Sequence, residues 1–172
     1  MATHIDYPAS MIRAAVLTIS DRCSRAERED LSGPALRTML KAKLSAEIAA
    51  FDIVSDDPDA IAAQLTAWSH PDQKIDLILT TGGTGLAPRD NTPEAAKRVI
   101  EREHPGLLEL ARRRCYDKTP KTYLSRGISG TRNRTLIITL PGSPRGAGEM
   151  LEALLDILPH AIETVRGEVT DG

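Results

Sequence analysis

Cysteine, aromatic residues and long apolar runs are all scarce in this chain, and each shortage excludes a class of protein. Two cysteines in 172 residues, Cys23 and Cys115, make neither a disulfide framework nor a zinc motif. They point to a reducing, cytoplasmic setting. No run approaches the ~18 apolar residues of a membrane-spanning helix, and no such stretch opens the chain, so no membrane partner is expected. One Trp, one Phe and three Tyr are too few rings to suggest base-stacking platforms. A net charge of −2 supplies no global positive field. Nucleic acid is therefore not an expected partner. The histidines, His4, His70, His104 and His160, lack ligand spacing, which argues against a histidine metal centre. Ser143 follows Pro-Gly rather than occupying a G-x-S-x-G elbow, so a serine hydrolase is not expected.

What is present reads as one soluble domain with a sizeable core. Hydrophobic residues make 41% and charged residues 27% of the chain, ordinary proportions for a globular protein. The short apolar run 14–19 predicts a buried strand, and 48–54, 75–80 and 135–140 read as further strands. Helical spacing predicts helices over 33–44, 59–69, 92 to about 103, 106 to about 115, and 144–166 with an interruption near Pro159. Thr92 is placed to cap its helix with Pro93 at the first position. Strands alternating with helices predict an α/β fold whose largely parallel sheet is covered on both faces. The core spans 12–166, with residues 1–11 and 167–172 read as loose tails.

In such a sheet, ligands bind at the carboxyl ends of the strands. Three stretches fall there: Ser20-Asp21, residues 81–90, and Pro141-Gly142-Ser143. The middle one belongs to TTGGTGLAPRDNTPEA, residues 80–95. Glycines let backbone N–H groups approach an anion without a Cβ in the way, and Thr81 and Thr84 add hydroxyl donors. The loop is neither a P-loop nor a dinucleotide fingerprint. It reads either as an anion cradle or as a tight strand-to-helix turn. A carboxylate beside an anion cradle, here Asp90, is repelled unless a cation such as Mg²⁺ sits between them. The stretch Asp56-Asp57-Pro58-Asp59 either supplies a second carboxylate or is an acidic helix start that suits the macrodipole. From Arg112 to Arg145 there are nine Lys/Arg against one acid, Asp117, which favours an anionic ligand. Within that stretch Arg112, Arg113 and Arg114 read as a solvated face.

Four segments, ISDRCSRAEREDLSGPAL, DLILTTGGTGLAPRDNTPEA, YLSRGISG and LIITLPGSPRGAGEMLEALLDILPHAI, together resemble the MogA/MoaB family of molybdenum-cofactor biosynthesis proteins. The resemblance covers roughly residues 12–166 and extends to the family's molybdopterin adenylyltransferases, including the G domain of gephyrin. It implies a three-layer α/β/α sandwich with a mostly parallel sheet, and a homotrimer. It also implies transfer of AMP from Mg·ATP to the terminal phosphate of molybdopterin, with release of pyrophosphate and hand-over of the product to a molybdenum insertase. Two rival readings are a non-catalytic MoaB-like molybdopterin-binding protein and a CinA-like nucleotide pyrophosphatase.

Carried over residue by residue, the resemblance makes Asp56 and Asp90 the catalytic, metal-holding carboxylates. Ser20 and Asp21 match the family's SD turn; Asp30, Ser32 and Gly33 match its D-x-SG continuation. Thr81, Gly82, Gly83, Thr84 and Gly85 match the substrate-binding loop, Ser125 and Arg126 the LSR segment, and Pro141, Gly142 and Ser143 the PGS turn. The chain departs from the family at Ala26, where many bacterial members have glycine, at Asn91 in place of valine, and at Ser55 in place of proline before Asp56. The expected trimer needs apolar cover. Leu107, Leu108, Leu110 and Ala111, together with Met150, Leu151, Leu154, Leu155, Ile157 and Leu158, are more than one-sided stripes require, so some of them are expected to face another subunit. The active site is expected to lie within one subunit.

Overall fold

A computed structural model describes residues 11–169. The expected loose tails therefore fall mostly outside the described residues. The helices and strands of the described residues, with one 3-10 turn, follow in chain order. They run β1 (Arg13–Ile19), α1 (Asp21–Ser24), α2 (Ser32–Leu44), β2 (Glu47–Val54), α3 (Pro58–Trp68), β3 (Leu77–Thr81) and α4 (Thr92–Val99). They continue with β4 (Arg102–Glu103), α5 (Gly106–Cys115), a 3-10 turn (Pro120–Leu124), β5 (Ser129–Arg132), β6 (Thr135–Leu140), α6 (Pro144–Glu152) and α7 (Leu158–Arg166). The six strands lie in the order β2-β1-β3-β6-β5-β4. The first four are mutually parallel, and β5 and β4 join antiparallel.

The central strands form because their side chains are apolar on both faces, as a sheet covered twice requires. Leu77 and Leu79 of β3 enter a core shared with α2, α5, α6 and α7. Ile78, between them, enters a second core shared with α3 and α4. Val16 and Leu17 of β1, and Ile138 and Ile137 of β6, divide in the same way. The result is the expected three-layer α/β/α sandwich. Among the described residues, no helix is long and apolar enough to cross a membrane.

Three expectations are corrected. The helix from residue 92 ends at Val99, not near 103; Ile100 turns extended, and Arg102–Glu103 pair with β5. Most of the apolar residues from which an intersubunit face is expected belong to the subunit's own core. Leu107, Leu108, Ala111, Met150, Leu151, Leu154 and Leu158 are buried, and Leu110, Leu155 and Ile157 pack against the same cluster. The reason is that α5, α6 and α7 share one face of the sheet and shield one another. Finally, Thr92 is the first residue of α4 and not its cap; Asn91 flanks the helix and makes no side-chain cap bond.

Candidate active site

Parallel pairing brings the ends of β1, β3 and β6 to one level, with Thr18 opposite Thr81 and Thr81 opposite Leu140. The turns that follow therefore meet. Gly82 donates its N–H to the Leu140 carbonyl at 3.1 Å. Its φ is +108°, and a Cβ there would stand 2.2 Å from the Ile19 carbonyl oxygen. Only glycine permits both the angle and the approach. On the other side, Gly142 lies so close that its own Cβ would be 3.1 Å from the Gly82 Cα. Thr92 stitches the loop to α4. Its hydroxyl donates to the Gly82 carbonyl at 2.9 Å and its N–H to the Gly83 carbonyl at 3.0 Å.

Two carboxylates flank this loop. A Cβ on Gly85 would stand 2.7 Å from Asp90 Oδ2, and one on Gly83 would stand 3.4 Å from Asp56 Oδ1. Asp90 is fixed by a closed turn: the Ala87 N–H donates to its Oδ2 at 3.0 Å, and its own N–H donates to the Ala87 carbonyl at 2.9 Å. Asp56 and Asp21 exchange bonds. The Asp21 N–H donates to Asp56 Oδ2 and the Asp56 N–H to Asp21 Oδ1, both at 2.9 Å. The neighbouring Asp57 does something different, capping α3 by accepting from the N–H groups of Asp59 and Ala60. The helix-start reading thus holds for Asp57, while Asp56 lies against the glycine loop.

Burial pushes the Asp56 carboxyl above the ordinary aspartate range, against the lowering effect of the Asp21 N–H. The charge of Asp21 raises it further, Arg89 lowers it, and Asp90 raises it again. Negative charge is thus concentrated where a cation is expected. Among the described residues, no group of three or more His, Cys, Asp or Glu is placed to hold a metal ion. Mg²⁺ commonly takes only one or two carboxylates and completes its shell with water and substrate phosphate oxygens. Asp56 and Asp90 fit a Mg²⁺ that arrives with a phosphate ligand.

Beside the loop opens a cleft of about 820 Å³. Its walls include Gly83, Thr84, Gly85, Asp90, Ser125, Pro141, Gly142 and Ser143, all anticipated from the sequence. Lys118, Lys121 and Arg145 also line it, as do Leu86, Leu124 and Met150. The sequence flagged the first three only as part of a basic stretch. Their selection depends on the 3-10 turn and the start of α6 folding over the cleft, which no local motif announces. Arg145 is partly compensated by Glu149, its ion-pair partner at 2.9 Å. Ser143 caps α6 by accepting from the Gly146 N–H at 3.0 Å.

Other expected residues hold the framework. The Thr81 hydroxyl is buried and donates to the Pro141 carbonyl at 2.7 Å, tying β3 to the last turn. Asp30 accepts from the Thr18 hydroxyl at 2.7 Å and from the Gly33 N–H at 3.0 Å, which fastens the start of α2. With Ser20 and Ser32 it borders a separate small recess of about 50 Å³, and Gly142 borders both. Ser20 caps α1 by accepting from the Cys23 N–H. Ser125 donates to the Thr84 hydroxyl at 3.1 Å. The solvated reading of the arginine triplet fails at Arg112, which is half buried and donates to the carbonyls of Ser125 and Gly127. Arg114 pairs with Asp156 at 2.7 Å, and Arg113 is exposed.

Comparison with known proteins gives one consistent answer. Residues 15–160 match the family described as "Probable molybdopterin binding domain". A protein of Helicobacter pylori named molybdopterin adenylyltransferase is 40% identical over 157 residues, covering 91% of this chain and 89% of that one. The Drosophila melanogaster molybdenum cofactor synthesis protein cinnamon is 38% identical over 92% of this chain, which spans only 26% of that longer protein. Among solved structures, the molybdopterin biosynthesis enzyme MoaB of Thermus thermophilus superimposes with a TM-score of 0.85 at 50% identity, covering 91% of this chain and 98% of that one.

Proposed function

The chain belongs to the MogA/MoaB family of molybdopterin-binding, molybdenum-cofactor biosynthesis proteins, and from that premise we propose that it is a molybdopterin adenylyltransferase. The reaction joins a terminal phosphate oxygen of molybdopterin to the α-phosphorus of ATP and breaks the bond from that phosphorus to the β-phosphate bridge. Pyrophosphate leaves. The observation that carries the reading is that Asp56 and Asp90 both lie against the glycine loop, with Asp90 also lining the cleft that holds Lys118 and Lys121.

The attacking oxygen is already an anion, so no strong general base is needed. The obstacle is repulsion between two highly charged phosphate groups, and alignment with charge neutralisation is the main demand of phosphoryl-type chemistry. Asp56 and Asp90 would hold Mg²⁺, which when bound supplies the neutralising charge between them. Backbone N–H groups of the glycine loop would complete the anion's surroundings. Lys118, Lys121 and Arg145 attract the phosphate-bearing pterin into the cleft, and Leu86, Leu124 and Met150 give its ring an apolar surface. The reading extends to a homotrimer working in the cytoplasm and passing its product to a molybdenum insertase.

Incubation with molybdopterin, ATP and Mg²⁺ tests this. Adenylylated molybdopterin and an equal amount of pyrophosphate are expected. Molybdopterin binding with no pyrophosphate release would instead support a MoaB-like binding protein, and ATP cleavage independent of molybdopterin a nucleotide pyrophosphatase.

A further inference from the structure

Arg126 stands in the segment expected to touch substrate, yet its contacts run elsewhere. Its backbone N–H donates to the Thr84 carbonyl at 2.7 Å. Its Nε donates to the Gly85 carbonyl at 2.9 Å, and Nη2 to the Asp90 carbonyl at 2.7 Å. Its Nη1 donates to Glu94 Oε1 at 2.5 Å, and Nη2 also reaches Glu94 Oε2 at 3.4 Å. One side chain thus grips both ends of the segment 85–90 and is itself held by the first turn of α4. A planar fork of donors suits such a multidirectional grip; a lysine ammonium does not span it.

The grip has a rigid base. Arg112 donates to the carbonyls of Ser125 and Gly127 at 3.0 and 2.9 Å, on both sides of Arg126. Gly127 is buried against β6, where a Cβ would stand 2.5 Å from the Thr139 carbonyl oxygen. The segment 125–127 therefore cannot recede. Burial lowers the Arg112 pKa from its usual value, consistent with a guanidinium committed to carbonyls inside the protein.

We propose that Arg126 and Glu94 form a clasp that sets the position of Asp90 and the glycine loop, making both of them positioning residues for adenylyl transfer. Glu94 carries no such role in the sequence motifs. The pair is partly exposed, at 37% and 56%, and such pairs add little to global stability. Its effect is expected in the geometry of the loop and not in the melting temperature.

The kinetic arm of the test rests on the adenylyltransferase reading; the second arm does not. Glu94→Gln, Glu94→Ala and Arg126→Lys are compared with the unaltered protein. Without metal or substrate, amide hydrogen exchange at Ala87 and Asp90 is expected to speed up by about tenfold or more in Glu94→Ala and Arg126→Lys. Glu94→Gln should lie between, and the amides of β1, β3 and β6 should not change. In adenylyl transfer, kcat is expected to fall roughly 10- to 100-fold with the KM for molybdopterin little altered, the signature of misplacement and not of a lost substrate contact. Unchanged loop exchange with a raised KM and a normal kcat would overturn the clasp and return Arg126 to substrate binding. If the unaltered protein transfers no adenylyl group, the functional reading fails while the exchange comparison still decides whether the clasp exists.

Discussion

At the scale of single residues, the surroundings of Asp56 disfavour its charged form. Its folded-state pKa lies above the unfolded value, chiefly through burial. The relative stability of the folded state associated with this group is therefore present below the unfolded pKa and lost as pH rises through the folded one. The charged form of this carboxylate is a cost to the fold. Asp56→Asn removes the charge and keeps an oxygen to accept from the Asp21 N–H. The metal-free variant is expected to melt at the same temperature or higher, while adenylyl transfer falls steeply; a clear drop in melting temperature would show that Asp56 is a structural residue. Asp90→Asn is expected to lower transfer by on the order of 10²-fold or more, the scale of losing one preorganised electrostatic group. Its circular dichroism should be unaltered, and near-normal turnover at saturating Mg²⁺ would count decisively against the role. Gly82 makes a third case. Its Cβ would meet backbone, not a movable side chain, and its φ of +108° is already unfavourable for other residues. Gly82→Ala is expected to cost about 1–3 kcal/mol, read from the urea midpoint.

At the scale of elements, what fixes a strand decides whether its sequence reveals it. β1, β3 and β6 are buried on both faces, so their apolar runs are uninterrupted and could be read directly. β5 is Ser-Gly-Thr-Arg and β4 is Arg-Glu, and neither carries an apolar signature. They exist because Asn133, at φ +51°, turns the chain between β5 and β6. Gly130 then lets β4 approach to where a Cβ would stand 2.4 Å from the Arg102 carbonyl oxygen. The site divides along the same line. Motifs directly after apolar runs were legible, whereas the engagement of Arg126 with Glu94, 32 residues away, and of Arg112 with Ser125 and Gly127, required the folded chain. Far from the site, α7 is fastened by a pair that is itself buried. Arg166 donates to both oxygens of Asp76 at 2.8 and 2.7 Å, and Asp76 also accepts from the Arg13 N–H. Their side chains are only 9% and 14% exposed. Arg166→Ala would leave a part-buried carboxylate with only the Arg13 N–H and is expected to cost roughly 1–3 kcal/mol in chemical denaturation. Activity per folded molecule should survive, because Asp76 precedes β3 and the site follows it. By contrast Arg145→Ala removes a pair with Glu149 in which the arginine is exposed, and should change stability by less than about 1 kcal/mol.

At the scale of the whole molecule, the question is whether function needs a second copy. A domain of this size can bury enough surface to fold alone. Most of the apolar helix residues that suggested an intersubunit surface are turned inward, while Leu110, Leu155 and Ile157 stay partly exposed. Large apolar side chains left exposed include Leu31, Phe51 and Ile53, the last two on β2 at the edge of the sheet. The family resemblance still leads us to expect a trimer with closed cyclic symmetry, which satisfies a repeated surface without leaving one end open. Light scattering at micromolar concentration should then give close to three times 18.7 kDa. Every group in the proposed reaction comes from one chain: Asp56 follows β2, Asp90 follows β3, Ser143 follows β6, and Lys118 and Lys121 follow α5. Turnover per subunit is therefore expected to stay within about twofold when the protein is diluted until it dissociates, since dilution removes contacts and not catalytic groups. A monomer mass at micromolar concentration would refute the trimer and leave the chemistry standing. A trimer whose turnover collapses on dissociation would mean that a neighbouring copy completes or stiffens the cleft, and the single-chain site would have to be abandoned.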